Sequence, residues 1–67
     1  MIRNRLLNIR LRMVYKKTKD FANFIGIHPN QLGRYENNKV QPSIDIAYAI
    51  CKKLNMNIDE VFYEIED

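Results

Sequence analysis

The chain has 67 residues, which suits one small domain, and a hydrophobic fraction of 46%, which is too high for a disordered protein. No apolar run approaches the roughly 20 residues of a transmembrane helix, and the arginines near the start exclude a signal peptide. The single cysteine, Cys51, cannot form an internal disulfide. We therefore expect a single domain over residues 1–67 in a reducing cytoplasm, with no membrane contact.

The formal net charge of +3 is distributed unevenly along the chain. Residues 1–40 contain nine basic and two acidic side chains, a net charge of +7. Residues 41–67 contain two basic and six acidic side chains, a net charge of −4. This asymmetry indicates a face that binds a polyanion, although an ordinary solvated surface of uneven charge would give the same counts.

The first predicted helix covers about residues 3–15. Its apolar stripe consists of Leu6, Ile9 and Met13. Arg10 lies on the same side of this helix, one turn after Leu6. Lys16 and Lys17 then begin a basic connection to the next helix.

Residues 18–37 predict two short helices joined by a tight turn. Phe21, Ala22 and Ile25 share one face of the first, and Gly26 then breaks the pattern. The small Ala22 allows the helices to approach closely, and Gly26 accepts a backbone conformation that larger residues resist. This arrangement is a helix-turn-helix, which can place its second helix in the major groove of DNA.

Both helices of this unit have candidate caps. Either Lys17 or Thr18 caps the first helix, and the Thr18 hydroxyl is chemically the better cap. The second helix should begin at Pro29, because the missing N–H of proline needs no partner there. His28 is then its N-cap. The helix should continue to about residue 37, with Asn38 ending it in a left-handed conformation.

The remaining sequence predicts two more helices. Ser43 caps the fourth helix, whose expected inward residues are Ile44, Ala47, Ile50, Cys51 and Leu54. Asn57 and Glu60 form a capping box for a fifth helix over about residues 58–63. Because β-strand signals are almost absent, we expect an all-α, compact five-helix bundle.

Residues 62–66 alternate apolar and acidic side chains. This tail could extend as a strand or pack across a two-fold axis. Apolar side chains also exceed what one small core needs, which indicates a partner surface. We expect a homodimer through the fifth helix and the tail, with Val61, Phe62, Tyr63 and Ile65 as interface candidates. The alternative is that the tail covers the core of its own monomer.

With these parts in this order, the chain resembles the phage repressor and Cro family of helix-turn-helix domains, also called lambda repressor-like or Xre. The resemblance covers about residues 5–62. It rests on LLNIR, DFANFIGI, LGRYENNK, QPS and IDEVF, in that order. It implies a five-helix bundle that binds duplex DNA sequence-specifically, usually as a dimer, and regulates transcription without catalysis.

The resemblance also implies roles for single residues. The candidates for contact with base edges are Asn30, Gln31 and Arg34. An amide there can pair with adenine and an arginine with guanine. Candidates for the DNA backbone are Thr18, Asn37 and Lys39 by family position, and Lys16, Lys17, Lys19 and His28 by charge. Arg10 and Glu36 match a recurring structural ion pair between the first and third helices.

Three residues of the third helix and its end depart from the family pattern. Gly33 costs about 0.5–1 kcal/mol relative to Ala inside a helix, and it either admits the DNA backbone or is simply tolerated. Pro29 replaces a residue that often touches DNA, and Asn38 replaces the usual Gly. The connection between the first two helices is also one residue longer than the commonest pattern.

No pattern in the sequence indicates an enzyme, a cofactor, a metal site or a small-molecule ligand. The only histidine, His28, has no set of co-ligands, and Ser43 has no suitably placed base. We therefore expect a repressor that binds a near-palindromic operator. The alternative is an antitoxin or protein-interaction adaptor with weak DNA binding, which the acidic tail and surplus apolar residues favour and the basic charge opposes.

Overall fold

The computed structural model describes residues 1–66, which form five helices and a two-stranded sheet. The helices are α1 (Leu6–Arg12), α2 (Thr18–Ile25), α3 (Pro29–Glu36), α4 (Ile44–Leu54) and α5 (Ile58–Val61). The strands are β1 (Ile2–Asn4) and β2 (Phe62–Glu64). The predicted five-helix bundle is confirmed, with the small sheet added at one edge. Within residues 1–66, every helix is too short or too polar to cross a membrane.

The sheet corrects the predicted ends of the first and last helices. β1 and β2 pair antiparallel, with Arg3 opposite Tyr63 and Asn4 opposite Phe62. The first helix therefore begins at Leu6, and the fifth helix ends at Val61. The alternating tail does extend as a strand, and its partner is the start of the same chain.

The core contains side chains from all five helices. Its buried members are Leu6, Ile9, Phe21, Ala22, Ile25, Leu32, Tyr35, Ile50, Cys51 and Val61. Two residues expected in the core lie outside it. Met13 is exposed because α1 ends one residue earlier, and Ile44 is 82% exposed at the first residue of α4.

Asn4 is a buried polar residue that joins β1 to the segment after α3. Its Oδ1 accepts a hydrogen bond from the Leu6 N–H at 3.0 Å. Its Nδ2 donates to the Tyr35 carbonyl and to Gln41 Oε1, both at 2.8 Å. Its backbone N–H donates to Asn38 Oδ1 at 2.9 Å. These bonds compensate the cost of burying the amide and hold β1 out of the helix.

The helix caps agree with the sequence predictions, which left both Lys17 and Thr18 open for α2. Ser43 Oγ accepts from the Ile46 N–H, and the Asn57 N–H donates to Glu60 Oε1 at 2.8 Å within a capping box. The N-cap of α2 is Lys17, without a side-chain bond, because the Thr18 hydroxyl is directed to Glu36 instead.

Left-handed backbone ends several helices, and one instance is unfavourable. Asn38 has φ 58° after α3, as predicted, and Gly26 has φ 80° after α2. Val14 has φ 66° after α1, although β-branched residues rarely adopt this conformation. The residue is 74% exposed. Its N–H donates to the Leu11 carbonyl at 3.1 Å and so helps to close the helix. A branched residue in this conformation costs about 1–2 kcal/mol.

Val14→Asn should therefore raise the free energy of unfolding by about 1 kcal/mol, because asparagine tolerates left-handed backbone and the exposed valine contributes little packing. Urea unfolding of both proteins measures the difference. Val14→Ala is the control, because it removes the branch and keeps a Cβ at positive φ. An Asn variant no more stable than the Ala variant would contradict the strain at this position.

Candidate nucleic-acid interface

Helices α2 and α3 form the helix-turn-helix. α2 buries Phe21, Ala22 and Ile25, and α3 buries Leu32 and Tyr35. In the turn, the Gly26 N–H donates to the Ala22 carbonyl at 2.8 Å. A Cβ at Gly26 would meet no atom within 4 Å, so the positive φ, rather than lack of space, requires glycine there.

A buried ion pair fixes α3 against the rest of the unit. Arg10 Nε lies 2.7 Å from Glu36 Oε2, and both side chains are buried. The same guanidinium donates from Nη1 to the carbonyls of Tyr15 and Lys16, at 2.9 and 2.7 Å. The Thr18 hydroxyl donates to the other Glu36 oxygen at 3.2 Å. The expected Arg10–Glu36 pair is thus present, and it connects α1, the basic connection, α2 and α3.

The face of α3 opposite the core is polar and accessible. The three base-contacting candidates, Asn30, Gln31 and Arg34, are all exposed on it. Gln31 Nε2 donates to the Tyr35 hydroxyl, 2.6 Å away and one turn further along. His28 Nδ1 accepts from the Asn30 N–H at 3.1 Å, so His28 is the predicted N-cap. In this role its ring hydrogen is carried by Nε2, which can donate to a phosphate.

The candidates for the DNA backbone lie on both sides of α3 along the chain. Those that are exposed are Lys16, Lys17, Lys19, His28, Asn37 and Lys39. Thr18 is half-buried, and its hydroxyl has only one hydrogen, which it donates to Glu36. A phosphate contact from Thr18 would therefore use its backbone N–H in the first turn of α2.

Gly33 lies in the middle of α3, where neither its surroundings nor its backbone conformation requires a glycine. A Cβ built there would meet no atom within 4 Å, and its φ is not positive. The protein itself thus gives no reason for glycine. Close approach of DNA remains one interpretation, and a tolerated glycine remains the other.

The interface candidates in the tail are less accessible than expected. Val61 is completely buried in the core of its own chain, so it has no surface to offer a partner. Phe62, Tyr63 and Ile65 are half-buried. The Arg5 guanidinium covers the Tyr63 ring, with its carbon 4.3 Å from the ring centre.

A different apolar surface lies between α4 and α5. It is a groove of about 400 Å³ lined by Tyr48, Cys51, Lys52, Asn55, Met56, Asn57 and Ile58. Tyr48 is 64% exposed and Ile58 is 52% exposed. Ile44 precedes Tyr48 by one helical turn and is more exposed still. The predicted inward position of Ile44 is wrong, although its spacing from Ala47 and Cys51 fits an inward stripe.

The family comparison agrees with this geometry. Residues 5–61 match a protein-family model described as Helix-turn-helix. The chain belongs to this family. It is the Xre or lambda repressor-like type, so the resemblance seen in the sequence is confirmed. No curated protein matches the chain. The protein is thus a DNA-binding helix-turn-helix regulator, from a family that is generally non-enzymatic.

Breaking the buried ion pair should strongly destabilise this regulator. Arg10→Met leaves the Glu36 carboxylate buried without its partner, and we expect a loss of about 3–5 kcal/mol in the free energy of unfolding. Arg10→Met combined with Glu36→Leu removes both charges and should recover part of that loss. Urea unfolding followed by circular dichroism measures both variants. A double variant less stable than Arg10→Met alone would contradict the assigned desolvation cost.

Proposed function

We propose that the protein is a transcriptional repressor that binds a near-palindromic operator as a homodimer. The observation that carries this proposal is the division of α3, which buries Leu32 and Tyr35 and exposes Asn30, Gln31 and Arg34. Amide and guanidinium groups are the side-chain types that recognise purine edges in the major groove. A repressor needs only to occupy its operator. A small DNA-binding domain can do this without contacts beyond those to the DNA.

Charge on either side of α3 supports binding to a duplex. Lys16, Lys17 and Lys19 lie at the start of α2, whereas Asn37 and Lys39 follow α3. With the recognition helix in the major groove, such flanking groups are suited to the phosphates along it. The Arg10–Glu36 pair ties the first of these segments to the end of α3, so both would move as one rigid surface. Binding should weaken as salt increases, because phosphate contacts release counterions.

The groove between α4 and α5 supports the homodimer. Its apolar residues, Tyr48 and Ile58, are exposed together, and Ile44 continues the same helix face. On α4 the exposed Lys52 lines the groove, and the exposed Lys53 follows it in the chain.

On α5 the exposed acids Asp59 and Glu60 directly follow the lining residue Ile58. A two-fold arrangement that sets α4 of one protomer against α5 of its partner would place the lysines of one opposite the acids of the other. A second copy of the chain therefore has the complementary charge that this surface needs. The proposed interface retains the fifth helix of the sequence prediction. Its centre is the α4–α5 groove instead of the tail residues Phe62, Tyr63 and Ile65. In such a dimer the two recognition helices must lie about 34 Å apart to contact successive major grooves.

Base and phosphate contacts should respond differently to mutation. Gln31→Ala should cost about 1–3 kcal/mol at one base pair of the operator and little on random duplex. Lys39→Ala should weaken binding to both duplexes and reduce the salt slope by about one.

Fluorescence anisotropy at several salt concentrations tests this, with an operator selected from a random oligonucleotide pool. Equal losses on operator and random duplex for Gln31→Ala would contradict its base contact. If no duplex binds in a salt-dependent manner, the antitoxin or adaptor interpretation is favoured instead.

The dimer surface can be tested with matched substitutions. Ile58→Asp places a charge in the groove and should abolish self-association, because the buried charge would lack a partner. Leu11→Asp is the control, since Leu11 is 56% exposed on α1, close to the 52% of Ile58.

Analytical ultracentrifugation from micromolar to submillimolar concentration measures the outcome, after circular dichroism has shown that both variants fold. We expect a dimer for the wild type and Leu11→Asp, and a monomer for Ile58→Asp. A strictly monomeric wild type, or equal effects of the two variants, would contradict the proposed interface.

A further inference from the structure

Gln31 and Tyr35 form a hydrogen bond that joins the exposed face of α3 to the core. Gln31 Nε2 donates to the Tyr35 hydroxyl at 2.6 Å. The Tyr35 ring is buried, and its backbone carbonyl accepts a hydrogen bond from Asn4 Nδ2 at 2.8 Å. The hydroxyl is therefore a fixed group, whereas the Gln31 amide would otherwise turn freely.

This bond distinguishes Gln31 from the other two base-contacting candidates. Among residues 1–66, the side chains of Asn30 and Arg34 make no hydrogen bond. Both must give up rotational freedom when they meet a base. Gln31 has already lost part of that freedom in the free protein, so its contact should form at a lower entropic cost.

In the orientation seen here, with Gln31 Nε2 as the donor, the bond leaves a defined set of groups for a base. A glutamine amide has one acceptor oxygen and two N–H donors. One Nε2 hydrogen is bonded to the Tyr35 hydroxyl, so the amide oxygen and the second Nε2 hydrogen remain available to a base. Adenine offers the matching donor and acceptor at N6 and N7, whereas guanine offers two acceptors at O6 and N7. An amide held in this orientation therefore fits adenine and leaves its oxygen facing a guanine oxygen.

We propose that the Tyr35 hydroxyl is a positioning group that fixes the Gln31 amide for adenine and against guanine. Tyr35 does not touch DNA in this proposal and acts only through Gln31. The proposal rests on the proposed function, because it assumes that Gln31 contacts a base. It explains why a tyrosine, rather than a phenylalanine, is useful at a core position whose hydroxyl bonds an exposed side chain.

Tyr35→Phe removes the hydroxyl and keeps the ring, so it tests the proposal directly. We expect nearly unchanged thermal unfolding and unchanged binding to random duplex. The preference for A·T over G·C at the base pair assigned to Gln31 should fall about three- to tenfold, the usual size of one hydrogen bond. The preference at the base pair assigned to Arg34 should not change.

A double-mutant cycle separates positioning from packing. In the Gln31→Ala background, Tyr35→Phe should have no further effect on base preference. Equal losses in both backgrounds, or on every duplex alike, would overturn the positioning role and leave Tyr35 as a core residue.

Gln31→Asn gives a second route if Tyr35→Phe does not fold. Its amide is one carbon shorter and reaches neither the same hydroxyl position nor the same base edge, so the adenine preference should fall at least as far as in Tyr35→Phe. An unchanged preference in Gln31→Asn would also overturn the proposal. A wild-type protein that binds every duplex with the same affinity would instead refute the proposed function itself. The two failures are therefore distinguishable.

Discussion

The Arg10 guanidinium is the point at which the helix-turn-helix is assembled. It lies 2.7 Å from Glu36 at the end of α3 and also donates to two carbonyls of the connection before α2. Thr18, the first residue of α2, donates to the same carboxylate. Few other positions of α3 are possible, because any shift of this helix would leave a buried charge without its partner. The main effect of the pair is therefore to fix the direction in which α3 faces, and its net contribution to the free energy of unfolding is secondary.

Much of this fold could be predicted from the sequence because local signals and tertiary packing agree. The buried face of α2, the caps at His28 and Ser43 and the left-handed Asn38 all follow from side-chain chemistry that acts within a few residues. The accessible position of Asn30, Gln31 and Arg34 on α3 was implied by the family resemblance. Arg10 could be placed inward because its spacing from Leu6 left it no other side of the helix.

The remaining features depend on contacts distant in the sequence. Asn4 looks like an ordinary helix residue until Asn38 and Gln41, more than thirty positions away, are brought beside it. Ile44 fits the inward stripe of α4, yet at the start of that helix no element within residues 1–66 covers it. The Gln31–Tyr35 bond is local in sequence, but its importance appears only once the ring is known to be buried while the amide is exposed.

The central claim is that the exposed face of α3 contacts duplex DNA, and NMR titration of the labelled protein with a short duplex tests it most directly. The side-chain amide resonances of Asn30 and Gln31, and the backbone amide of Lys39, should shift most. The resonances of Leu11, on the outer face of α1, should remain in place. Shifts confined to the α4–α5 groove around Tyr48 and Ile58, with α3 unchanged, would contradict the claim.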